Sequence, residues 1–243
     1  MVKYWRIKVR KALSMGFLVD GLSILVGGIL GGFLKKRIAF KNFSAISIAI
    51  MLISAVGLLE NILSISDGKI VGEHTVIVVI ALVLGYTVGD LLKIEDRLYS
   101  LSKAQDIKKN ALIDSVLFFG IGGLQISGPI LYALDGDSFQ LILKGVIDFP
   151  FALMLGATYG KRVAFSAPIV VSVQLLIAAA AYFLGNFITD SLLCQLCSLG
   201  YLILFFSGFN MICSPKNKIK NINIIPGIFL IMIYNIFLEV LPL

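Results

Sequence analysis

Charged side chains are scarce in this sequence, and the shortage excludes an ordinary soluble domain. Only 14% of the residues are Asp, Glu, Lys or Arg, whereas a soluble domain has about 25%. Hydrophobic residues make up 58% of the chain, and the mean hydropathy is +0.97. Several apolar stretches reach the length of about 18 residues that a membrane-spanning helix needs. The composition therefore predicts an all-α, polytopic transmembrane helical bundle.

Residues that usually carry catalysis or bind metals are also few. The chain has one histidine and three cysteines, and it contains no P-loop and no nucleophile-elbow motif. Cys194 and Cys197 have CxxC spacing, which suits a redox pair or half of a metal site. Because no second CxxC exists, we favour two small apolar residues in a membrane helix. We expect a protein that is not an enzyme and needs no cofactor, and the sequence specifies no metal.

The positive charges have a regular placement that accounts for the net charge of +7. Lys and Arg concentrate in every second connection between apolar segments, and the intervening connections are acidic or nearly neutral. Membrane proteins encode topology in this way, with basic connections in the cytoplasm, so we expect lipid and no nucleic acid around the chain. The basic connections are 35–42, 93–110, 161–165 and 214–221, and the others are 61–73, 135–138 and 186–190.

The chain is predicted to contain about eight membrane segments in two repeats. Residues 18–32 are echoed by residues 146–160, and each copy leads into a similar basic exit. We predict four-helix repeats, which share one orientation because their helix number is even, and a re-entrant segment would invert this relation. Discontinuous or re-entrant helices are possible within the bundle. The repeats are 15–134, with a charged linker at 93–110, and 135–243. The segments are 17–34, 43–60, 74–92, 111–134, 139–160, 166–185, 191–213 and 222–241.

With the basic connections in the cytoplasm, eight segments would place both termini outside. Residues 1–14 form a basic tail that conflicts with this topology, because its Lys and Arg residues favour a cytoplasmic N-terminus. Three explanations are open. The original start is Met15, immediately before the repeat; or the first segment is a re-entrant hairpin; or the tail lies on the membrane surface, with Tyr4 and Trp5 at the headgroups. We favour Met15 as the start.

The repeat aligns Asp20 with Asp148, so each of two apolar segments contains a carboxylate. An ionisable residue within a membrane is expensive, and it is therefore a candidate functional residue. Lys144 precedes Asp148 by one helical turn, so the two can pair, and Pro150 frees a backbone carbonyl nearby. The structural alternatives are an ion pair near the outer interface, with Lys144 reaching water, and an N-terminal helix cap for Asp20.

The fourth segment is irregular between residues 119 and 129, where glycines accompany Gln125, Ser127 and Pro129. Irregular backbone in a membrane is tolerated where it is buried in protein or lines a cavity, so a discontinuous helix at a binding site is one interpretation, and a simple kink is the other. Gln174 and Asn210 are further polar residues in apolar segments. Each could contact a ligand or join two helices.

The order of several short motifs resembles the DUF554 family of bacterial membrane proteins, the YqgA/YdfK-like proteins. The motifs are Lys144 to Asp148, Gly160, 163–168, Gln174, Gly128, 135–136, 94–97, 208–210 and 223–226. The resemblance covers nearly everything from Met15 onward and implies a bacterial cytoplasmic (inner) membrane protein with a transport role and no named substrate. This chain departs from the family at Asp20, where the family usually has Asn.

The leading functional hypothesis is a small secondary transporter or ion-coupled carrier of a small solute or ion, whose site lies between the repeats. The rival is a non-transporting membrane scaffold or partner protein in envelope maintenance. A passive channel is less favoured because pore-lining residues are few, and the abundant glycine faces also suit a homodimer. The proposed site residues are Asp148, Asp20, Lys144, Gln125, Ser127, Gln174 and Asn210.

Overall fold

A computed structural model describes residues 2–34, 43–66, 68–101, 107–120, 122–214 and 217–240. Apart from a short antiparallel hairpin of β1 (Ser64–Ser66) and β2 (Lys69–Val71), the elements in these ranges are helical. The α-helices are α1 (Val2–Leu34), α2 (Phe43–Ile62), α3 (Thr75–Leu91), α4 (Ile94–Leu101), α5 (Ile107–Gly120), α6 (Gly123–Asp135), α7 (Phe139–Tyr159), α8 (Ser166–Leu184), α9 (Asp190–Ile212) and α10 (Pro226–Val240). Three short 3-10 helices are Lys161–Phe165, Gly185–Phe187 and Asn221–Ile224.

Five helical stretches in the described ranges are long and apolar enough to cross a membrane. Two shorter apolar helices, Ser47–Ile62 and Thr75–Leu91, accompany them. The chain is therefore an all-α membrane protein, as its composition predicts, while the number of eight segments and the two repeats stay predictions. The five stretches are Met15–Leu34, Phe139–Tyr159, Lys161–Leu184, Asp190–Ile212 and Asn221–Leu238.

The first and fourth predicted segments differ in their continuity. Helix α1 runs without a break from Val2 to Leu34, about 50 Å at 1.5 Å per residue, so the hairpin alternative for the first segment does not hold. The fourth segment is divided. Helix α5 ends at Gly120, Gly122 has extended backbone, and α6 begins at Gly123. This interruption lies in the glycine-rich stretch that the sequence marked as irregular.

The helices form two compact units that are interleaved in sequence. The first unit comprises Met1–Asn42 and Ala104–Gly185, and the second comprises Phe43–Lys103 and Asn186–Leu243. Each unit therefore contains helices from both predicted repeats. A repeat is a unit of sequence and need not be a unit of packing, so the boundaries 1–14, 15–134 and 135–243 stay a prediction.

In the first unit, α1 and α7 run parallel at very close range. Gly31 lies against the backbone of Leu153, where an added Cβ would sit 1.8 Å from the carbonyl oxygen. Gly28 and Gly156, which the predicted repeat places at equivalent positions, lie against each other. Small residues permit such contact between membrane helices. A core from several helices surrounds this crossing, formed by Ile24, Phe119, Ala152, Leu155, Val163, Ala167 and Val170.

Glycine contacts also join the helices of the second unit. Helix α2 packs antiparallel to α9, with Gly57 against the Tyr201 ring. Helix α3 packs antiparallel to α10, with Gly85 against the backbone of Gly227 and Gly89 against that of Asn223. The short 3-10 helix before α10 is buried, because its residues fill the space that these glycines leave.

Candidate functional site

Asp20 is a fully buried carboxylate in the middle of α1, with 0% exposure. Because α1 begins at Val2, Asp20 is not an N-terminal cap of this helix. Gly145 on α7 lies against the Asp20 backbone, where an added Cβ would come within 3.0 Å. The missing side chain at Gly145 lets α7 approach α1 at the level of this carboxylate.

Lys144 joins the two carboxylates that the predicted repeat relates. Its Nζ lies 2.9 Å from Asp20 Oδ2 and also donates to Asp148 Oδ2, one turn along α7. The exposures of Lys144 and Asp148 are 4% and 6%. The lysine therefore points inward to two acidic partners, and the alternative in which it extends to water does not hold.

Two glutamines extend this arrangement to α6 and α8. Gln174 Nε2 donates to Asp20 Oδ2 at 2.6 Å and to Gln125 Oε1 at 3.0 Å. Gln125 Nε2 in turn donates to the Val170 carbonyl at 3.4 Å. We call the connected set the buried polar cluster; its members are Asp20, Gln125, Lys144, Asp148 and Gln174.

The remaining two predicted residues lie elsewhere. Ser127 is buried on α6, and its hydroxyl donates to Gln140 at the start of α7. Asn210 belongs to the second unit, where its Nδ2 donates to the Ile219 carbonyl at 2.7 Å and its Oδ1 accepts from the Ile219 amide at 2.8 Å. Asn210 thus fixes the connection after α9, and its role as a site residue stays a prediction.

The charges of the buried polar cluster do not balance when all its groups are ionised. Two carboxylates face one ammonium, which leaves one excess negative charge. An uncompensated buried charge destabilises a protein by about 3–5 kcal/mol. Within the part of the chain that the structure describes, Asp20 Oδ1 and Gln174 Oε1 also lack a hydrogen-bond partner. The cluster therefore attracts a further positive charge.

The groups of the cluster are able to bind a proton or a cation. Carboxylates and amides accept protons, hydrogen bonds and hard cations, and the Lys144 ammonium is held by two acidic groups. In the described ranges, no three His, Cys, Asp or Glu side chains come close enough to hold a metal ion.

A polar pair within the second unit was not predicted from the sequence. Asn235 Nδ2 donates to Gln195 Oε1 at 2.8 Å, and both residues are buried. Gln195 lies between the two cysteines of the CxxC spacing, of which Cys197 is a buried core residue. The signal was available, because Asn235 and Gln195 are polar residues in apolar segments. The pair joins α9 to α10.

A second group of contacts ties α3 and α4 to the connection before α10. Asn223 Oδ1 accepts from the Glu95 amide at 3.0 Å, and its Nδ2 donates to Asp90 at 3.3 Å. Lys220 donates to Asp96 at 2.8 Å, and this hydrogen bond raises the pKa of Lys220. The sequence motifs at 94–97 and 223–226 therefore meet in the fold and fix a buried turn.

Comparisons with known proteins give a family and two uncharacterized relatives, one of them a membrane protein. The model of a protein family of unknown function, DUF554, matches residues 15–236. The chain is 26% identical over 219 residues to the uncharacterized membrane protein YdfK of Bacillus subtilis (strain 168), covering 88% of this chain and 93% of YdfK. It is 26% identical over 235 residues to the uncharacterized protein YqgA of Escherichia coli (strain K12), covering 90% and 95%. No solved structure matches significantly. Because the family model covers most of its length, this chain belongs to the DUF554 family.

Proposed function

We propose that this protein is a secondary transporter or ion-coupled carrier of a small solute or ion. The observation that carries the proposal is the buried polar cluster, in which Asp20 and Asp148 share one lysine within apolar helices. Ionisable residues inside membrane proteins usually mark ion or substrate pathways. Helices α1 and α6 come from the first predicted repeat and α7 and α8 from the second, so the cluster lies where a carrier with two repeats would bind its ligand.

Eight crossings in two parallel repeats, in the bacterial cytoplasmic membrane, are part of this proposal. Helices α1 and α7 run in the same direction, with Gly16 against Leu141 and Gly31 against Leu153. An odd number of crossings must then separate them along the chain. Crossings by segments two, three and four satisfy this condition, whereas crossings by only two of them do not. The parallel packing thus supports a full crossing by α5 and α6 together.

Coupling follows from the shared lysine. A positive charge that binds one carboxylate weakens the attraction of that carboxylate for Lys144. It thereby changes how strongly Lys144 on α7 is attracted to Asp20 on α1. An ion can shift a protein between two access states only if it binds them with different affinities. The Asp20–Lys144–Asp148 arrangement provides such a difference if the helices move relative to one another. No covalent chemistry is required.

The rival scaffold function predicts a different arrangement of polar groups. Residues that only hold helices together gain most when every buried donor and acceptor is paired. Asn210 and Asn223 in the second unit follow that rule. The buried polar cluster leaves two acceptors and one negative charge uncompensated, which favours a ligand site over a purely structural contact.

The test is ion and solute flux in proteoliposomes with Asp148→Asn as the variant. A panel of ions and small metabolites would be followed with a pH-sensitive dye and with labelled solutes. We expect Asp148→Asn to fold normally and to abolish coupled flux. The matched control is Asp137→Asn, which changes an exposed carboxylate of the same unit and should leave flux intact. Unchanged flux in Asp148→Asn would exclude the mechanism, and no flux in the unmodified protein, with a variant that is merely less stable, would favour the scaffold.

A further inference from the structure

The two unpaired acceptors of the buried polar cluster lie on side chains that are completely shielded from solvent. Asp20 and Gln174 both have 0% exposure, and their atoms Oδ1 and Oε1 have no partner in the described ranges. The orientation of the Gln174 amide is determined by its neighbours. Its Nε2 donates to Asp20 Oδ2 and to Gln125 Oε1, so a flipped amide would place oxygen against two oxygens. The unpaired atom of Gln174 is therefore its oxygen.

A group that satisfies these atoms must donate hydrogen bonds or carry positive charge. Water could donate to these oxygens, but it would leave the excess negative charge of the cluster in place. Lys144 is already held by Asp20 Oδ2 and Asp148. A bound cation satisfies the oxygens and also neutralises the charge, and since the excess is a single charge, the cation is monovalent.

The oxygens favour an alkali-metal ion over a proton. A proton on Asp20 or on Asp148 would cancel the excess charge without joining both unpaired oxygens, whereas a metal ion is coordinated by carboxylate and amide oxygens together. Helix α6, which carries Gln125 of the cluster, also has a backbone carbonyl without its usual donor. Pro129 has no amide hydrogen, so the backbone carbonyl of Gln125 lacks its usual helical donor.

We propose that the cluster binds one alkali-metal cation through Asp20 Oδ1 and Gln174 Oε1. The ion is the counter-charge that the second carboxylate requires, and it binds the Asp20 oxygen that Lys144 does not contact. This assignment deepens the proposed function and rests on it for the use of the ion in coupling. Its test is equilibrium binding, which requires no transport.

The experiment uses the full chain, purified in detergent in choline chloride and titrated calorimetrically with NaCl or KCl at constant pH and ionic strength. We expect saturable binding of one ion per chain and a rise in melting temperature of several degrees. Asp20→Asn keeps the shape of the side chain but supplies an N–H, and Gln174→Met keeps its length without an oxygen. Each should weaken binding about tenfold or more. Gln195→Met, a buried glutamine of the second unit, is the control and should bind normally.

Three results would overturn the assignment. They are no saturable binding of either alkali ion, equal binding in Asp20→Asn and Gln174→Met, and a melting temperature that responds to pH alone, which would assign a proton. Failure of the transport proposal is distinguishable. Alkali-ion binding that depends on Asp20 and Gln174, together with unchanged flux in Asp148→Asn, would keep the ion site and remove the carrier mechanism.

Discussion

Lys144 is the residue on which the buried polar cluster depends. Its ammonium contacts two carboxylates that come from α1 and from α7. Removing one partner of a buried ion pair is strongly destabilising because the other charge remains without compensation, whereas replacing all members by neutral groups of similar shape is often tolerated. The cluster can therefore be divided experimentally into a charge effect and a packing effect.

The variant Lys144→Met should lower the free energy of unfolding by about 3–5 kcal/mol, because it leaves two buried carboxylates unpaired. Denaturant unfolding in detergent at neutral pH measures this loss. Adding Asp20→Asn and Asp148→Asn to the same chain should restore most of it, since the unpaired charges are then gone. Lys69→Met, at an exposed position of β2, is the control. Equal stability of Lys144→Met and Lys69→Met would contradict the ionic description of the cluster.

The members of the buried polar cluster were predictable as single residues, but their contacts were not. Asp20, Lys144 and Asp148 are charged within apolar segments, and the one-turn spacing of the last two already implies a pair. The contact from Lys144 to Asp20 joins helices that are distant in sequence, and no local pattern encodes it. The same rule selected Asn210, which binds the backbone of Ile219. A polar residue near a helix end can serve a connection as well as a ligand.

Glycine determines which helices meet at the scale of secondary-structure elements. Glycines in the first segment permit close packing of helices, and the structure gives α7 as the partner. Hydropathy located these helices because an apolar stretch of sufficient length is a local property. The choice of partner depends on how two surfaces fit, which is a property of the folded chain. The 3-10 turns at Lys161–Phe165 and Asn221–Ile224 were not predicted for the same reason.

The variant Gly31→Ala should separate α1 from α7 and destabilise the protein. An added Cβ would lie 1.8 Å from the Leu153 carbonyl oxygen, and backbone cannot move aside as a flexible side chain can. We expect a loss of at least about 1–3 kcal/mol, as for overpacked cores, measured as a lower melting temperature. Gly120→Ala is the control, because the nearest atom to its Cβ, on Val116, is 4.0 Å away. Equal melting temperatures for the two variants would contradict the close crossing.

At the scale of the whole molecule, the two compact units are interleaved along the sequence. Each unit takes one part of its helices from the first half of the chain and the rest from the second half. A division of the sequence at residue 134 therefore predicts repeats but not the compact units. Helices α1 and α7 pack in the same direction in the first unit. If both cross the membrane, this packing requires an odd number of crossings between them along the chain. That number depends on whether α5 and α6 together traverse the membrane.

Cysteine accessibility decides between a crossing and a re-entrant fourth segment. In a chain whose native cysteines are replaced, Ser100→Cys reports on the connection after α3 and Asp137→Cys on the connection between α6 and α7; both positions are exposed. A crossing places them on opposite faces. We expect a membrane-impermeant maleimide to label Asp137→Cys in intact cells and Ser100→Cys only after permeabilisation, because basic connections stay in the cytoplasm. Labelling of both from one side would make α5 and α6 re-entrant and would relate the repeats by inversion, since an odd number of crossings per half reverses their orientation.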